Sequence, residues 1–396
     1  MQALYELYRK ILSKTDLGFQ RSLMEEIQWK RPLIGITGAR GVGKTTLILQ
    51  YLKKEFEGRE EQSLYVSLDH IWFATNSLID LADQFSKQGG THLALDEVHK
   101  YPNWSREIKN IHDFYPELNL IFTGSSLLEI RNASADLSRR ALIYQMTGLS
   151  FREYINLENG LKIRKIHLKE IFSDHTALAT DFTSQFRPMQ YFSKYLEMGY
   201  YPFYRDFGNL TAHQIRAVVN LILEVELPQL RKFDIAYVPK IKQLLSIIAD
   251  SVPFIPNVSK LSQKIGINRT TLLTYLNYLH ESKLTTNLYS SSIGISLLQK
   301  PEKLYLENPN LAYALGNKVD KGNLRETFFL NQLAYEHTVT LPNDSDFTIN
   351  QTWTVEVGGK NKDLPDTDAA DYFVAADEIE IGFGKKIPLW LFGFLY

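Results

Sequence analysis

Between residues 33 and 146 short apolar runs recur among stretches with helical spacing. The runs Leu33–Thr37, Leu64–Leu68, His92–Asp96, Leu118–Thr123 and Ala141–Met146 are nearly continuous in apolar character, as strands buried on both faces are. Between them TTLILQYLKKEF, NSLIDLADQFSKQ and NWSREIKNIHDF place apolar residues at steps of three and four, the period of a helix with one buried face. Strands and helices alternating in this way predict an α/β unit: a parallel sheet with helices on both faces. From about 150 to 235 the strand signals fade and amphipathic helices take over, as in PFYRDFGNLTAHQIRAVVNLILEVEL. From 239 to 297 the core NVSKLSQKIGINRTTLLTYLNYLHESKLTTNLY reads as a helix, a turn at Gly266-Ile267-Asn268, a longer helix and strand-like residues. Beyond 300 the stretch KLYLENPNLAYAL leads to a helix, GNLRETFFLNQLAYEH, and then to short strands. The chain contains neither an internal repeat nor a low-complexity linker.

A length of 396 residues sets an expectation of about two to four domains. Lys and Arg number 44 against 45 Asp and Glu, a net charge of -1, so nucleic acid could be gripped only through a local basic patch. Cysteine is absent, which excludes disulfides, thiolate metal sites and a cysteine nucleophile, and fits a reducing cytoplasm. The first residues, MQALYELYRKILSKTDLGFQ, are amphipathic and interrupted by charge, without a signal-peptide core. The longest apolar run, IPLWLFGFLY, has ten residues, too few to cross a bilayer. A cytoplasmic protein with no membrane partner is expected.

The stretch Gly38-Ala39-Arg40-Gly41-Val42-Gly43-Lys44-Thr45, followed by Thr46, matches G-x-x-x-x-G-K-[ST] in full. It follows a buried strand and opens a helix, the context the mechanism needs. Glycines let the backbone curl with N–H groups turned toward a β-phosphate, and the helix N-terminus adds partial positive charge. Lys44 is expected at the β- and γ-phosphates of ATP, and the Thr45 hydroxyl on Mg²⁺. In HLALDEVHK a strand ends in two acids: Asp96 is the candidate for the Mg²⁺ shell and Glu97 the candidate base that polarises the attacking water. His99 is expected to be structural. DEVH also occurs in helicases, but the chain has one P-loop and no second nucleotide-binding lobe. In LNLIFTGSSLLEI the strand ends in Thr123-Gly124-Ser125-Ser126, hydroxyls placed as polar sensors of the γ-phosphate, Ser125 foremost. Arg139 and Arg140, just before the last sheet strand, are candidates for an arginine finger in cis or in trans, with Arg140 preferred; the other reading is a solvated surface pair.

This order of motifs, phosphate loop, Asp-Glu, TGSS, then LSRRA and GLSFREY, resembles the prokaryotic AAA-type ATPases that carry a nuclease-like C-terminal domain. These belong to the additional-strand class of P-loop proteins, close to the archaeal-type and signal-transducing ATPases. The endings VEVGGKNK and DEIEIGFGKKIPLWLFGFLY resemble the Bacteroides-type subgroup. The resemblance covers essentially the whole chain. It implies that the Leu118–Thr123 strand lies between the strands that carry the phosphate loop and the Asp-Glu pair.

The expected organisation is a P-loop ATPase domain over 1–160, a helical region over 161–238, a winged-helix domain over 239–299 and a small α+β nuclease-like domain over 300–396. In the winged helix Asn268 is the expected N-cap, Leu272, Leu273, Leu276 and Leu279 the buried face, and Arg269, Thr271, Thr274, Tyr275 and Tyr278 the exposed one. Such a helix fits a DNA major groove, but Lys260, Lys264, Arg269 and Lys283 against Glu281 make a modest basic patch, so a lid or a protein dock is the preferred reading. In the tail Glu326, Asp346 and Glu356 occupy positions of nuclease acids, while Gly358 stands where the nuclease lysine belongs and Lys360 is shifted. An inactive docking fold is expected there, with 387–396 buried as a closing strand. Function then divides three ways: an ATP- and Mg²⁺-dependent hydrolase coupled to a protein partner or to further copies of itself, a DNA-directed regulator or nuclease, or a slow nucleotide-controlled switch or scaffold.

Overall fold

The apolar runs of the first third of the chain become a single parallel sheet of five strands. These are β1 (Leu33–Thr37), β2 (Ser63–Ser67), β3 (His92–Asp96), β4 (Asn119–Gly124) and β5 (Leu142–Gln145), in the order β2-β3-β4-β1-β5. The computed structural model describes residues 1–124, 137, 139–231, 234–251, 255–290, 299–342, 344–363 and 370–396, in two compact units, Met1–Gly148 and Leu149–Tyr396. In the first unit β4 pairs with both β1 and β3, the intervening position that the resemblance implied. The carboxyl ends of β1, β3 and β4 therefore lie side by side, where open α/β sheets bind ligands.

Helices α1 (Gln2–Lys14), α2 (Leu23–Glu26), α3 (Lys44–Glu55), α4 (Leu78–Lys87) and α5 (Trp104–Phe114) accompany this sheet. In α4 the buried side chains Leu78, Leu81, Ala82 and Phe85 recur at helical steps, and the Ser77 hydroxyl caps the helix by accepting from the Asp80 N–H. In α5 Trp104, Ile108 and Ile111 repeat the pattern. Each such leucine, isoleucine or phenylalanine contributes about 1.5–3 kcal/mol through burial. Packing over β1 leaves no room at Gly35: a Cβ there would lie 2.5 Å from Ile143 Cδ1 and 2.6 Å from Phe122 Cζ. Even alanine would push two strands' side chains aside.

The second unit opens with α6 (Phe151–Asn159), started by a capping box in which Ser150 and Glu153 satisfy each other's backbone N–H. Next comes α7 (Leu168–Gln185). Further on, α8 (Val238–Ala249), α9 (Val258–Ile265) and α10 (Arg269–Glu281) precede an antiparallel pair, β6 (Thr285–Leu288) and β7 (Lys303–Leu306). Asn268 caps α10 by accepting from the Thr271 N–H at 2.8 Å, and Leu272, Leu273, Leu276 and Leu279 are buried. Tyr275, expected on the exposed face, is instead buried at 5% exposure. The C-terminal end of α10 is partly covered: the Arg231 guanidinium lies 5.2 Å over the Tyr278 ring and pairs with Glu281.

After α11 (Lys321–Leu333), capped by Asp320, the chain forms β8 (Val339–Thr340), β9 (Phe347–Ile349), β10 (Trp353–Gly358), β11 (Tyr372–Ala376) and β12 (Lys386–Pro388) in the order β12-β11-β10-β9-β8. β10, β11 and β12 run parallel, whereas β8, β9 and β10 alternate. The tail departs from expectation in form. Only Lys386–Pro388 is strand, and Leu389–Phe394 is a 3₁₀ helix whose residues are all buried. A run apolar at every position fits any fully buried segment, so its lack of period could not separate the two. Helix α7 packs on this sheet, with the Phe172 ring 5.0 Å from Trp353 and 4.6 Å from Phe373. Phe151 of α6 likewise meets Phe394 at 5.9 Å. The helical, helix–hairpin and tail segments lie together in the compact unit Leu149–Tyr396.

Candidate nucleotide site

The phosphate loop is built by backbone geometry that its glycines permit. Gly41 and Gly43 take φ of 85° and 98°, the left-handed region that other residues avoid. Gly43 then caps the twelve-residue helix α3, which begins at Lys44. Gly38 is needed for a different reason: a Cβ there would lie 2.1 Å from the Met146 carbonyl oxygen. Val42 is fully buried, Ala39 and Arg40 are half-buried, and Thr46 is exposed on the first turn of the helix. The buried Lys44 ammonium donates to the Gly38 and Ala39 carbonyls, each at 2.9 Å.

Asp96, at the end of β3, is the centre of a hydrogen-bond cluster. Thr45 Oγ1 donates to its Oδ2 at 2.6 Å, and the Tyr65 hydroxyl of β2 donates to the same oxygen at 2.7 Å. Thr123 Oγ1 of β4 and the Glu97 N–H donate to Oδ1, the latter at 3.0 Å. Burial and the adjacent Asp96 carboxylate push the Tyr65 phenol well above its ordinary value, so Tyr65 is a fixed donor. Carboxylate and hydroxyl oxygens side by side are the donor set that Mg²⁺ favours. The loop amides, Lys44 and this oxygen pair therefore fit a magnesium nucleotide.

Glu97 adopts φ 53°, a strained left-handed conformation for a residue with a side chain. Its carboxylate faces two cationic or titratable groups: Arg40 Nη1 of the phosphate loop at 3.7 Å and His99 Nε2 at 3.4 Å. His99 therefore touches the candidate base, which its sequence context did not suggest. Arg140 is held by Asp113 of α5 in a two-pronged pair, Nε to Oδ1 at 2.8 Å and Nη2 to Oδ2 at 3.1 Å. That contact lowers the Asp113 carboxyl below its usual range. Arg139 is exposed, and Ser125 and Ser126 lie outside the described residues.

The tail acids are spread over α11, the start of β9 and β10. Glu326 accepts from Lys303 Nζ at 2.8 Å and from the Tyr305 hydroxyl at 2.7 Å. Asp346 accepts from the Val357 N–H at 2.9 Å, and Glu356 from the Tyr372 hydroxyl at 2.7 Å. The lysine at Glu356 is Lys362, 2.6 Å away, and not the exposed Lys360. β10 ends at Gly358, and a turn closed by the Lys362 N–H on the Gly359 carbonyl brings Lys362 back across it. A Cβ at Gly358 would stand 2.7 Å from Lys362 Cβ, so the glycine makes room for that return. Among the described residues no three Asp, Glu, His or Cys side chains converge on a common metal position.

Residues 30–155 match a family model described as an AAA domain, and residues 189–322 one described as a domain of unknown function (DUF8612). An uncharacterized protein of Methanocaldococcus jannaschii is 26% identical over 305 residues, 73% of this chain. The chain spans less than two thirds of that relative, 63% of its length. A Walker-type ATPase of Pyrococcus abyssi aligns over 75% of this chain and 95% of its own, at 13% identity and a TM-score of 0.42. AMPPCP-bound DnaA from Aquifex aeolicus aligns over 71% and 88%, at 14% identity and a TM-score of 0.24. Among the described residues no helix is long and apolar enough to cross a membrane. The five-stranded parallel sheet, with β4 inserted between β1 and β3, and the AAA-domain match over 30–155 give the first unit a P-loop NTPase fold.

Proposed function

We propose that the chain binds ATP with Mg²⁺, hydrolyses it, and couples the nucleotide state to a protein partner or to further copies of itself. The observation that carries this reading is the 2.6 Å contact between Thr45 and Asp96, beside Glu97 and at the start of the loop helix. The amides of Gly38–Gly43 would surround the β-phosphate, Lys44 would meet the β- and γ-phosphates, and Thr45 and Asp96 would hold Mg²⁺. The metal supplies neutralising charge on the phosphates. Glu97 would take a proton from the attacking water, Ser125 would sense the γ-phosphate, and Arg140, once released by Asp113, would act as the finger. Titration with a fluorescent ATP analogue and Mg²⁺ tests the binding half. Saturable binding is expected, and it should vanish in Lys44→Ala; equal binding by that variant contradicts the assignment.

The contacts of Glu97 with Arg40 and His99 favour a second reading, a slow switch whose base is held in reserve. A switch of this kind would carry nucleotide through purification and turn it over slowly. A freely cycling hydrolase would emerge without bound nucleotide.

A further inference from the structure

Arg21 lies between α1 and α2, outside every motif, and is only 7% exposed. Its guanidinium donates to three backbone carbonyls: Val42 at 2.8 Å, Thr147 at 2.9 Å and Gly148 at 2.8 Å. Val42 belongs to the phosphate loop, and Gly148 is the last residue of the first unit. A buried cation needs such partners to offset its lost hydration, and the planar fork of arginine, with its five N–H donors, is suited to span carbonyls on two separate segments. A second contact joins the same segments. The Met146 N–H donates to the Thr37 carbonyl at 2.7 Å, and the Met146 carbonyl lies so close to Gly38 that no side chain fits. Residues 146–148 are thus fastened to the loop near its beginning, at Gly38, and near its end, at Val42. Fixing the Val42 carbonyl also fixes the Gly43 N–H, because a trans peptide holds the two antiparallel. That N–H is one of the donors a phosphate loop uses.

We propose that Arg21 is a positioning residue that couples the phosphate loop to Thr147-Gly148, so that nucleotide held by the loop stiffens the segment leading into the second unit. This rests on the nucleotide-binding reading above. Coupling of this kind is reciprocal: whatever holds Thr147-Gly148 in place also favours nucleotide.

Hydrogen exchange of the full chain, with and without Mg²⁺ and a non-hydrolysable ATP analogue, tests it. Exchange in 38–46 reports binding itself, and exchange in 145–150 reports the coupling. In the unaltered chain both segments should slow on addition of the analogue. In Arg21→Lys, affinity for the analogue should fall about tenfold, the scale of one lost hydrogen bond to a charged group. At saturation 38–46 should still slow in that variant while 145–150 no longer responds. A merely structural arginine would lower the melting temperature and leave the response of 145–150 intact, which overturns the proposal. Slowing at 38–46 alone in the unaltered chain overturns the coupling without touching nucleotide binding, and needs no variant to fold. Slowing at neither segment removes the nucleotide reading and the coupling together.

Discussion

Removing the Tyr65 hydroxyl takes away one donor to the buried Asp96 carboxylate, and a hydrogen bond to a charged group contributes about 1.5–3 kcal/mol. Tyr65→Phe is therefore expected to lower the urea midpoint of the first unit, followed by circular dichroism, and an unchanged midpoint would remove Tyr65 from the cluster. Arg140 calls for a paired comparison, because Asp113 engages it in its own unit. If Arg140 is a finger acting on a neighbouring copy, Arg140→Ala should cost about 10³-fold in turnover, and the activity of the unaltered protein should rise with its concentration. Asp113→Ala should spare turnover. Equal and small effects of the two substitutions would mean a surface ion pair. Residues whose task is set by adjacent backbone could be read from the chain, since Gly38 to Thr45 carry their geometry in eight contiguous positions. Tyr65 could not: it meets Asp96 from 31 positions away, through a strand order that periodicity does not encode. Lys362 was hidden by a turn after Gly358, and Arg21 by carbonyls that any residue type supplies.

Helix α10 carries the element-scale question of DNA. Only Arg269 and Thr270, at its start, are exposed, and Arg231, a cation that a groove would otherwise attract, is engaged by Glu281 and Tyr278. Anisotropy with a labelled duplex should therefore show no binding whose strength falls steeply between about 50 and 200 mM salt. A steep slope would restore the DNA-directed reading. In the tail, contacts with Lys362 and Tyr372 outweigh burial and hold the Glu356 carboxyl below its ordinary 4.5, while Glu356 raises the Lys362 ammonium above 10.5. A depressed carboxyl contributes stability above its unfolded value and loses it as pH falls through the folded one; a raised lysine loses its share as pH climbs past 10.5. The melting temperature of Lys362→Met should thus lie below that of the unaltered chain at neutral pH, and the gap should close below pH 4.5. A gap constant with pH would mean that Lys362 acts through packing alone. No cleavage of DNA is expected from this element with Mg²⁺ or Mn²⁺; cleavage lost in Glu356→Ala and kept in Lys44→Ala would overturn that. Strands β1 to β4 were legible because buried parallel strands are apolar and sharply bounded; β5 was expected to be buried on both faces as well, but it forms a sheet edge with Leu142 and Ile143 exposed. Tyr275 was misplaced because tyrosine joins an apolar ring to a polar hydroxyl, so its residue type does not say which face of a helix it takes.

At the scale of the whole molecule, the extent of the second unit could not be read from the chain. Its helices and tail sheet join through aromatic pairs such as Phe172 with Trp353, which no local pattern announces. A net charge of -1 gives the molecule no long-range field toward nucleic acid. The DUF8612 match over 189–322 lies in the second unit. The proposed hydrolase requires that nucleotide be hydrolysed and not merely held. The direct measurement is phosphate release from Mg²⁺-ATP by the full chain and by Glu97→Gln, at nucleotide concentrations that saturate both. Binding should be kept in Glu97→Gln while turnover falls by about 10²-fold or more, the scale of a lost general base. Hydrolysis by Glu97→Gln at the rate of the unaltered chain would contradict it.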